Sequence, residues 1–347
     1  MNFKNINELD AQDMKSQIAS LYSQIEESIE ILNIFFSSDS RYKNIIKDYN
    51  NILIIGMGGS AIGGDFAAKY SAKEAEIPIH ILRDYHVPKW VDSRTFVIAS
   101  SYSGNTEETL NAYMECLSLK CDSIIMSTGG ELSKIANNNN IGVIQMPKGY
   151  QPRAAIGYSL SMILLIFEEL GLIKSITSDL IDTCSNKIGT SKKNKCLKIA
   201  KKIHGKFPVI YSRGDFMEIL AIRLKGQLAE NSKILSYNSI FPEHNHNEIE
   251  GWNNLEELIG NFVIIWLKDK SSKIEIKDSM EIVSNMIKKY VGSKSQLTLD
   301  LEDGSNIEQI FTMINLIDWI SYYLALEYKT NPSPINNISK LKTLMKK

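Results

Sequence analysis

Apolar and polar positions follow two periods along this chain. Met14, Ile18, Leu21, Ile25, Ile29, Leu32 and Phe36 recur at steps of three and four, which predicts one long amphipathic helix. Short apolar runs then appear at 52–55, 79–82, 96–99, 123–126 and 143–146, with helical patterns between most of them. That alternation predicts an α/β fold built on a doubly wound parallel sheet. The most apolar run, 156–167, is too short to span a bilayer and is followed at once by Glu168 and Glu169, so it reads as a buried helix. A polar stretch at 174–195 reads as a linker or an exposed helical crossing. Beyond it the pattern starts again, with strands at 208–211, 262–267 and 296–301 and helices at 216–230, 279–290 and 307–328. The halves look like a diverged structural repeat. A chain of 347 residues is too long for one typical core. The expected division is therefore residues 1–155 (the N-terminal helix and first domain), 156–198 (crossing helix and linker) and 199–347 (second domain with a C-terminal tail).

Two turns in the first half carry the candidate chemistry. The strand at 52–55 runs into Gly56-Met57-Gly58-Gly59-Ser60-Ala61, and the strand at 96–99 into Ser101-Tyr102-Ser103-Gly104-Asn105-Thr106-Glu107-Glu108. A strand that enters a helix through small hydroxylated residues suits an anion. Backbone N–H groups and the macrodipole favour negative charge there, and Ser101, Ser103 and Thr106 can donate neutral hydrogen bonds. The plainer reading is a capped helix start, since Ser and Thr are ordinary N-caps. Neither turn contains lysine, so neither is a nucleotide P-loop. Gly56-x-Gly58-x-x-Ala61 also matches a dinucleotide fingerprint with Asp84 as the ribose carboxylate, the signature of a nicotinamide-dependent oxidoreductase. A dinucleotide domain has no use for a second phosphate cradle, whereas two cradles converging on one small phosphate do.

Composition narrows the field by exclusion. The net charge of -1, from 39 basic and 40 acidic residues, creates no field that attracts nucleic acid or an acidic membrane. Cys116, Cys121, Cys184 and Cys196 show no C-x-x-C spacing, which suggests reduced thiols in a cytoplasmic protein. The mixed polar residues 1–17 do not form a secretory signal.

The paired turns resemble those of sugar isomerase (SIS) domains. Pro152-Arg153-Ala154-Ala155, Glu230-Asn231-Ser232-Lys233, Pro242-Glu243-His244-Asn245-His246-Asn247-Glu248 and the tail Ile338-Ser339-Lys340-Leu341-Lys342 resemble the bifunctional phosphoglucose/phosphomannose isomerases. The tail departs slightly, with Asn331 where that pattern has an aspartate before proline. The resemblance implies two SIS domains, each a parallel sheet flanked by helices. It implies an aldose–ketose isomerase acting on glucose 6-phosphate and mannose 6-phosphate through a cis-enediolate, with no cofactor and no metal.

In that picture Gly58, Gly59, Ser60, Ser101, Ser103 and Thr106 hold the phosphate. Glu230 is the C1/C2 base. A carboxylate at a helix C-terminus is electrostatically unfavourable, which makes a functional reason for it more plausible. Arg153, always charged and held by its neighbouring proline, suits a developing enediolate oxygen, although a surface arginine capping a carbonyl is the bland alternative. His246 suits ring opening because imidazole exchanges protons near neutral pH, and His244 is expected to face solvent. Lys342 resembles an active-site lysine of the family, although lysine among Lys340, Lys346 and Lys347 is usually a solvated face. The resemblance further implies a homodimer whose His246 reaches into the partner's pocket. Phe241 to Trp252 has no strand or helix period, as a protruding loop would.

Two rivals come from other classes. His244-x-His246-x-x-x-Glu250 has the spacing of a metal-binding cupin, but cupins are all-β. A non-catalytic sugar-phosphate sensor built on SIS domains is the other, and the joint presence of Arg153, Glu230 and His246 argues against it.

Overall fold

A computed structural model describes residues 6–185, 190–254, 256–269 and 274–345. The chain forms two compact units. The N-terminal unit comprises Ser20–Lys187 with Ser305–Glu308, and the C-terminal unit comprises Met1–Ala19, Ile188–Gly304 and Gln309–Lys347.

The N-terminal unit is organised on five parallel strands, β1 (Asn51–Ile55), β2 (Ile79–Leu82), β3 (Thr95–Ser101), β4 (Ser123–Ser127) and β5 (Gly142–Gln145), in the order β2-β1-β3-β4-β5. All seven residues of β3 are buried, which is why these strands read as continuous apolar runs: a parallel sheet is covered on both faces. Leu53, Ile55, Val97, Ala99 and Ile125 on one face pack with Tyr113, Leu132 and Ala136 from the helices Glu107–Ser118 and Gly130–Asn138. The apolar helix Ile156–Leu170 is buried along nearly its whole length, and Gly171 stops it in the left-handed conformation. By its contacts it belongs to this unit.

Four parallel strands, β6 (Phe207–Arg213), β7 (Tyr237–Phe241), β8 (Phe262–Lys268) and β9 (Gln296–Asp300), form the second sheet in the order β7-β6-β8-β9. Its core is aromatic, built on Tyr211, Phe241, Trp252 and Trp266. Through four strands the two sheets share one topology, as a structural repeat requires.

The long helix expected from Met14 to Phe36 is two helices, Met14–Ala19 and Leu21–Ser38, broken at Ser20. The two parts serve different cores. Ile18 gives its carbonyl to Asn315 Nδ2 of the C-terminal unit at 3.4 Å, whereas Gln24 Nε2 donates to the Ala154 carbonyl of the N-terminal unit at 2.9 Å. The polar stretch at 174–195 also contains helix: Thr177–Ser185 buries Leu180, Thr183 and Cys184. Residues 186–189 of that stretch lie outside the described residues.

Candidate active site

In the N-terminal sheet the strand order reverses between β1 and β3, the place where an open α/β sheet presents a ligand crevice at its strand carboxyl ends. Both candidate turns sit there. Ile55 pairs with Ala99, so the strands end side by side, and a Cβ on Gly56 would lie 2.9 Å from the Ser100 carbonyl oxygen. The helices that follow, Gly58–Ser71 and Glu107–Ser118, start at Met57 and Thr106, and neither N-cap side chain caps its helix. First-turn N–H groups are therefore left for a ligand.

The hydroxyls divide the work. Ser101 Oγ donates to Thr106 Oγ1 at 3.0 Å and accepts from Gly104 N at 3.1 Å, so this buried hydroxyl shapes the loop. Ser103 is exposed, and its Oγ accepts from Asn105 N at 3.2 Å. Gly104 has φ +69°, and a Cβ there would lie 1.7 Å from the Gly129 carbonyl oxygen; only glycine fits.

Arg153 belongs to the same region. It lies on the short turn Pro152–Ala154, 4% exposed, and a Cβ on Gly59 would sit 2.7 Å from the Pro152 carbonyl oxygen. The glycine of the first turn thus lets the arginine's backbone close on it. Sequence reasoning passed over Tyr102. Its hydroxyl donates to the Pro147 carbonyl at 2.8 Å and accepts from Tyr150 N at 3.0 Å, bracing the second turn against the segment that leads to Arg153. The signal was an aromatic inside an otherwise small-residue loop.

The C-terminal unit holds Glu230, half-buried as the last residue of helix Phe216–Glu230. One stripe of that helix is fastened to helix Asn306–Glu327. Arg223 Nη2 donates to both Asp318 oxygens at 2.8 and 2.7 Å, Gln227 Nε2 donates to Asp318 Oδ1 at 2.6 Å, and Asn231 Nδ2 donates to Ser321 Oγ at 2.9 Å. These residues are four apart, so the ladder fixes the helix's rotation and axial position up to Glu230. Glu230 lines a cavity of about 620 Å³ with Lys233, Thr330, Asn331, Asn336 and Asn337. Asn331 Oδ1 accepts from Ser333 N at 3.0 Å, so the asparagine side chain makes a local turn around Pro332.

His246 and Lys342 are both exposed and neither lines that cavity. Lys342 is on helix Asn336–Met345, which buries no residue. His246 ends a short turn, Glu243–His246, in a loop whose ends are anchored by the buried Phe241 and Trp252.

Comparison with known proteins completes the picture. A family model described as the bacterial phospho-glucose isomerase C-terminal SIS domain matches residues 192–345. The bifunctional phosphoglucose/phosphomannose isomerase of Caldicellulosiruptor bescii is 36% identical over 340 residues, 95% of this chain and 98% of that protein. The chain belongs to the bifunctional phosphoglucose/phosphomannose isomerase family. The family's member from Aquifex aeolicus is 32% identical over 93% of this chain and 99% of its own length. Among solved structures, the C-terminal domain of glucosamine-fructose-6-phosphate aminotransferase from Francisella tularensis has the same fold, with a TM-score of 0.71 and 16% identity over 92% of this chain and 97% of that one.

Within the family motif around the histidines, one expectation is corrected. His244 does not face solvent; it is 0% exposed, with its ring stacked on Phe241 at 4.6 Å and edge-on to Tyr211 at 4.8 Å. The residue two places along is the exposed one. Burial holds the His244 pKa below its ordinary value. Loop residues without a period give no sign of which histidine the chain folds over. Among the described residues no three His, Cys, Asp or Glu side chains are grouped to hold a metal ion.

Proposed function

We propose that this isomerase interconverts glucose 6-phosphate and mannose 6-phosphate with fructose 6-phosphate through a cis-enediolate. The observation that carries the reading is the Glu230 carboxylate, half-buried at the wall of a cavity and locked at the end of a helix whose register is fixed by buried hydrogen bonds. Interconversion needs the ring opened, a proton moved between C1 and C2, and charge on the enediolate oxygens offset. Glu230 takes the proton from one carbon and returns it to the other, a role that requires a carboxylate held still relative to the sugar. Arg153, with its position set by the Gly59 contact, offsets the oxyanion charge. The phosphate is held by first-turn amides of helices Gly58–Ser71 and Glu107–Ser118, with Ser60, Ser103 and Thr106 adding hydroxyls and Ser101 shaping the loop. His246, exposed on its loop, opens the ring by exchanging a proton with the ring oxygen.

The enediolate is planar at C2 and common to both aldoses, so one site serves both epimers. The reading includes a cytoplasmic homodimer in which His246 acts in the partner's pocket. All four cysteines are buried free thiols, in keeping with a reducing compartment, and no described helix is long and apolar enough to cross a membrane.

Complementation tests the assignment. Glu230→Gln and His246→Ala proteins are each inactive, but when unfolded and reassembled together they form mixed dimers in which one of the two pockets is intact. Activity then returns to about a quarter of wild type. No recovery from the mixture places His246 in its own chain's pocket and overturns the trans arrangement.

A further inference from the structure

We propose that Lys233 is a positioning residue for Glu230: its ammonium ties the C-terminal tail to the end of the helix that carries the base, and so builds the wall of the cavity in which Glu230 works. The inference rests on the reading of Glu230 as the base.

Lys233 follows helix Phe216–Glu230 at the position where the chain turns out of the helix. Ile234 N donates back to the Leu228 carbonyl, six positions earlier, at 3.2 Å, and the residue inside that turn takes the left-handed conformation that commonly ends a helix. Glycine is the usual occupant because it adopts positive φ without strain. Here the occupant is lysine at φ +60°, a conformation that costs a non-glycine side chain about 1 kcal/mol.

What the side chain does offsets that cost. Lys233 Nζ donates to the Glu230 carbonyl, to the Pro334 carbonyl at 2.6 Å and to the Pro332 carbonyl at 3.3 Å. An ammonium has three protons and no acceptor, enough for all three carbonyls. One of these carbonyls belongs to the last turn of the helix, where the macrodipole also favours a cation. The other two belong to the tail, whose residues Thr330, Asn331, Pro334 and Asn336 face Glu230 across the cavity. Through the Pro332 and Pro334 carbonyls the lysine thus ties the tail to the end of helix Phe216–Glu230. Without it the cavity opens on one side and the carboxylate loses a fixed wall.

Lys233→Gly separates this role from a purely structural one, because it removes the ammonium while relieving the backbone strain. The melting temperature of Lys233→Gly is expected to stay close to that of wild type, because the strain relieved and the hydrogen bonds lost offset each other. Its kcat with fructose 6-phosphate is expected to fall about 10- to 100-fold, with KM within about threefold because the phosphate anchor is untouched. Proteolytic cutting within residues 330–345 is expected to speed up about tenfold. Lys233→Arg, which keeps charge and donors, is expected to restore most of kcat. A Lys233→Gly protein with kcat within twofold of wild type, or one whose loss is all in KM, overturns the proposal. So does a Lys233→Arg protein as impaired as Lys233→Gly. Wild-type protein without activity on any sugar 6-phosphate removes the reading of Glu230 instead, and the cutting rate then decides the tether by itself.

Discussion

Where strand order reverses in the N-terminal sheet, β1 and β3 run out into glycines and hydroxyls. At the equivalent place in the C-terminal sheet, β6 ends in Arg213, and Asp269 stands one residue beyond β8. Arg213 Nη2 lies 2.5 Å from Asp269 Oδ2, and Nη1 lies 2.9 Å from Asp215 Oδ2. The topology creates the same crevice twice, with a helix N-terminus beside it each time. In the second crevice the chain supplies its own carboxylates: Asp215 caps helix Phe216–Glu230 by accepting from Met217 N at 3.1 Å. In the first crevice neither N-cap side chain caps its helix, which on the proposed reading leaves first-turn N–H groups for the substrate phosphate. Fold and site are therefore separable within one molecule, and the side chains at the strand ends decide which crevice binds. On the proposed reading the C-terminal unit instead contributes Glu230, at the far end of helix Phe216–Glu230.

That division of labour can be broken at four places, in falling order of expected effect. Glu230→Gln should lower kcat by about a thousandfold or more while sugar-phosphate KM changes little, because proton transfer is lost and the anchor remains. Near-normal turnover in this variant would mean the base is elsewhere. Arg213→Met takes the guanidinium from the nearly buried Asp269 and should destabilise the C-terminal unit by about 3 kcal/mol. This is read as a lower denaturant midpoint with kcat/KM unchanged in the protein that stays folded. If phosphate binding weakened as well, the second crevice would not be the closed one described here.

Ser103→Ala and Thr106→Ala should each raise KM about tenfold with kcat held, the loss of one hydrogen bond used equally in ground and transition states. A fall in kcat instead would make the first turn part of the chemistry. The smallest effect concerns His244. Its folded pKa is lowered from 6.5 by burial, so the native state keeps the ring neutral where the unfolded chain protonates it. The contribution is complete above about pH 6.5 and is lost as pH falls below that value toward the folded pKa. Between pH 7.5 and 5.5 wild type should therefore lose more unfolding free energy than His244→Phe. Parallel losses would mean that His244 titrates normally.

Much of this organisation is legible in the residues, for reasons that also explain what is not. Buried parallel strands such as Asn51–Ile55 and Thr95–Ser101 carry continuous apolar runs at 52–55 and 96–99 because both faces are covered, so the pattern finds them. Helix Phe216–Glu230 is bounded by Asp215 and Asn231, ordinary cap residues. Strand Tyr237–Phe241 escapes notice because it is an edge strand, mostly half-exposed, and Tyr-Asn-Ser-Ile-Phe carries no clear alternation. The break at Ser20 is invisible because the apolar spacing continues across it while the two halves serve different units. The glycine and hydroxyl residues of the two turns stand out because close backbone approach leaves few alternatives, as at Gly104. The burial of His244 and the tether at Lys233 depend on contacts distant in sequence, which no local pattern reports.

On the proposed reading one enediolate site serves two epimeric aldose phosphates with acid–base groups alone. The most direct test is to incubate the wild-type protein with fructose 6-phosphate, in the presence of a strong chelator and without nicotinamide, and to measure both aldose products. Glucose 6-phosphate and mannose 6-phosphate are both expected to form, and Glu230→Gln is expected to form neither. Activity that disappears in chelator and returns with zinc, or the formation of glucose 6-phosphate with no detectable mannose 6-phosphate, would contradict that reading.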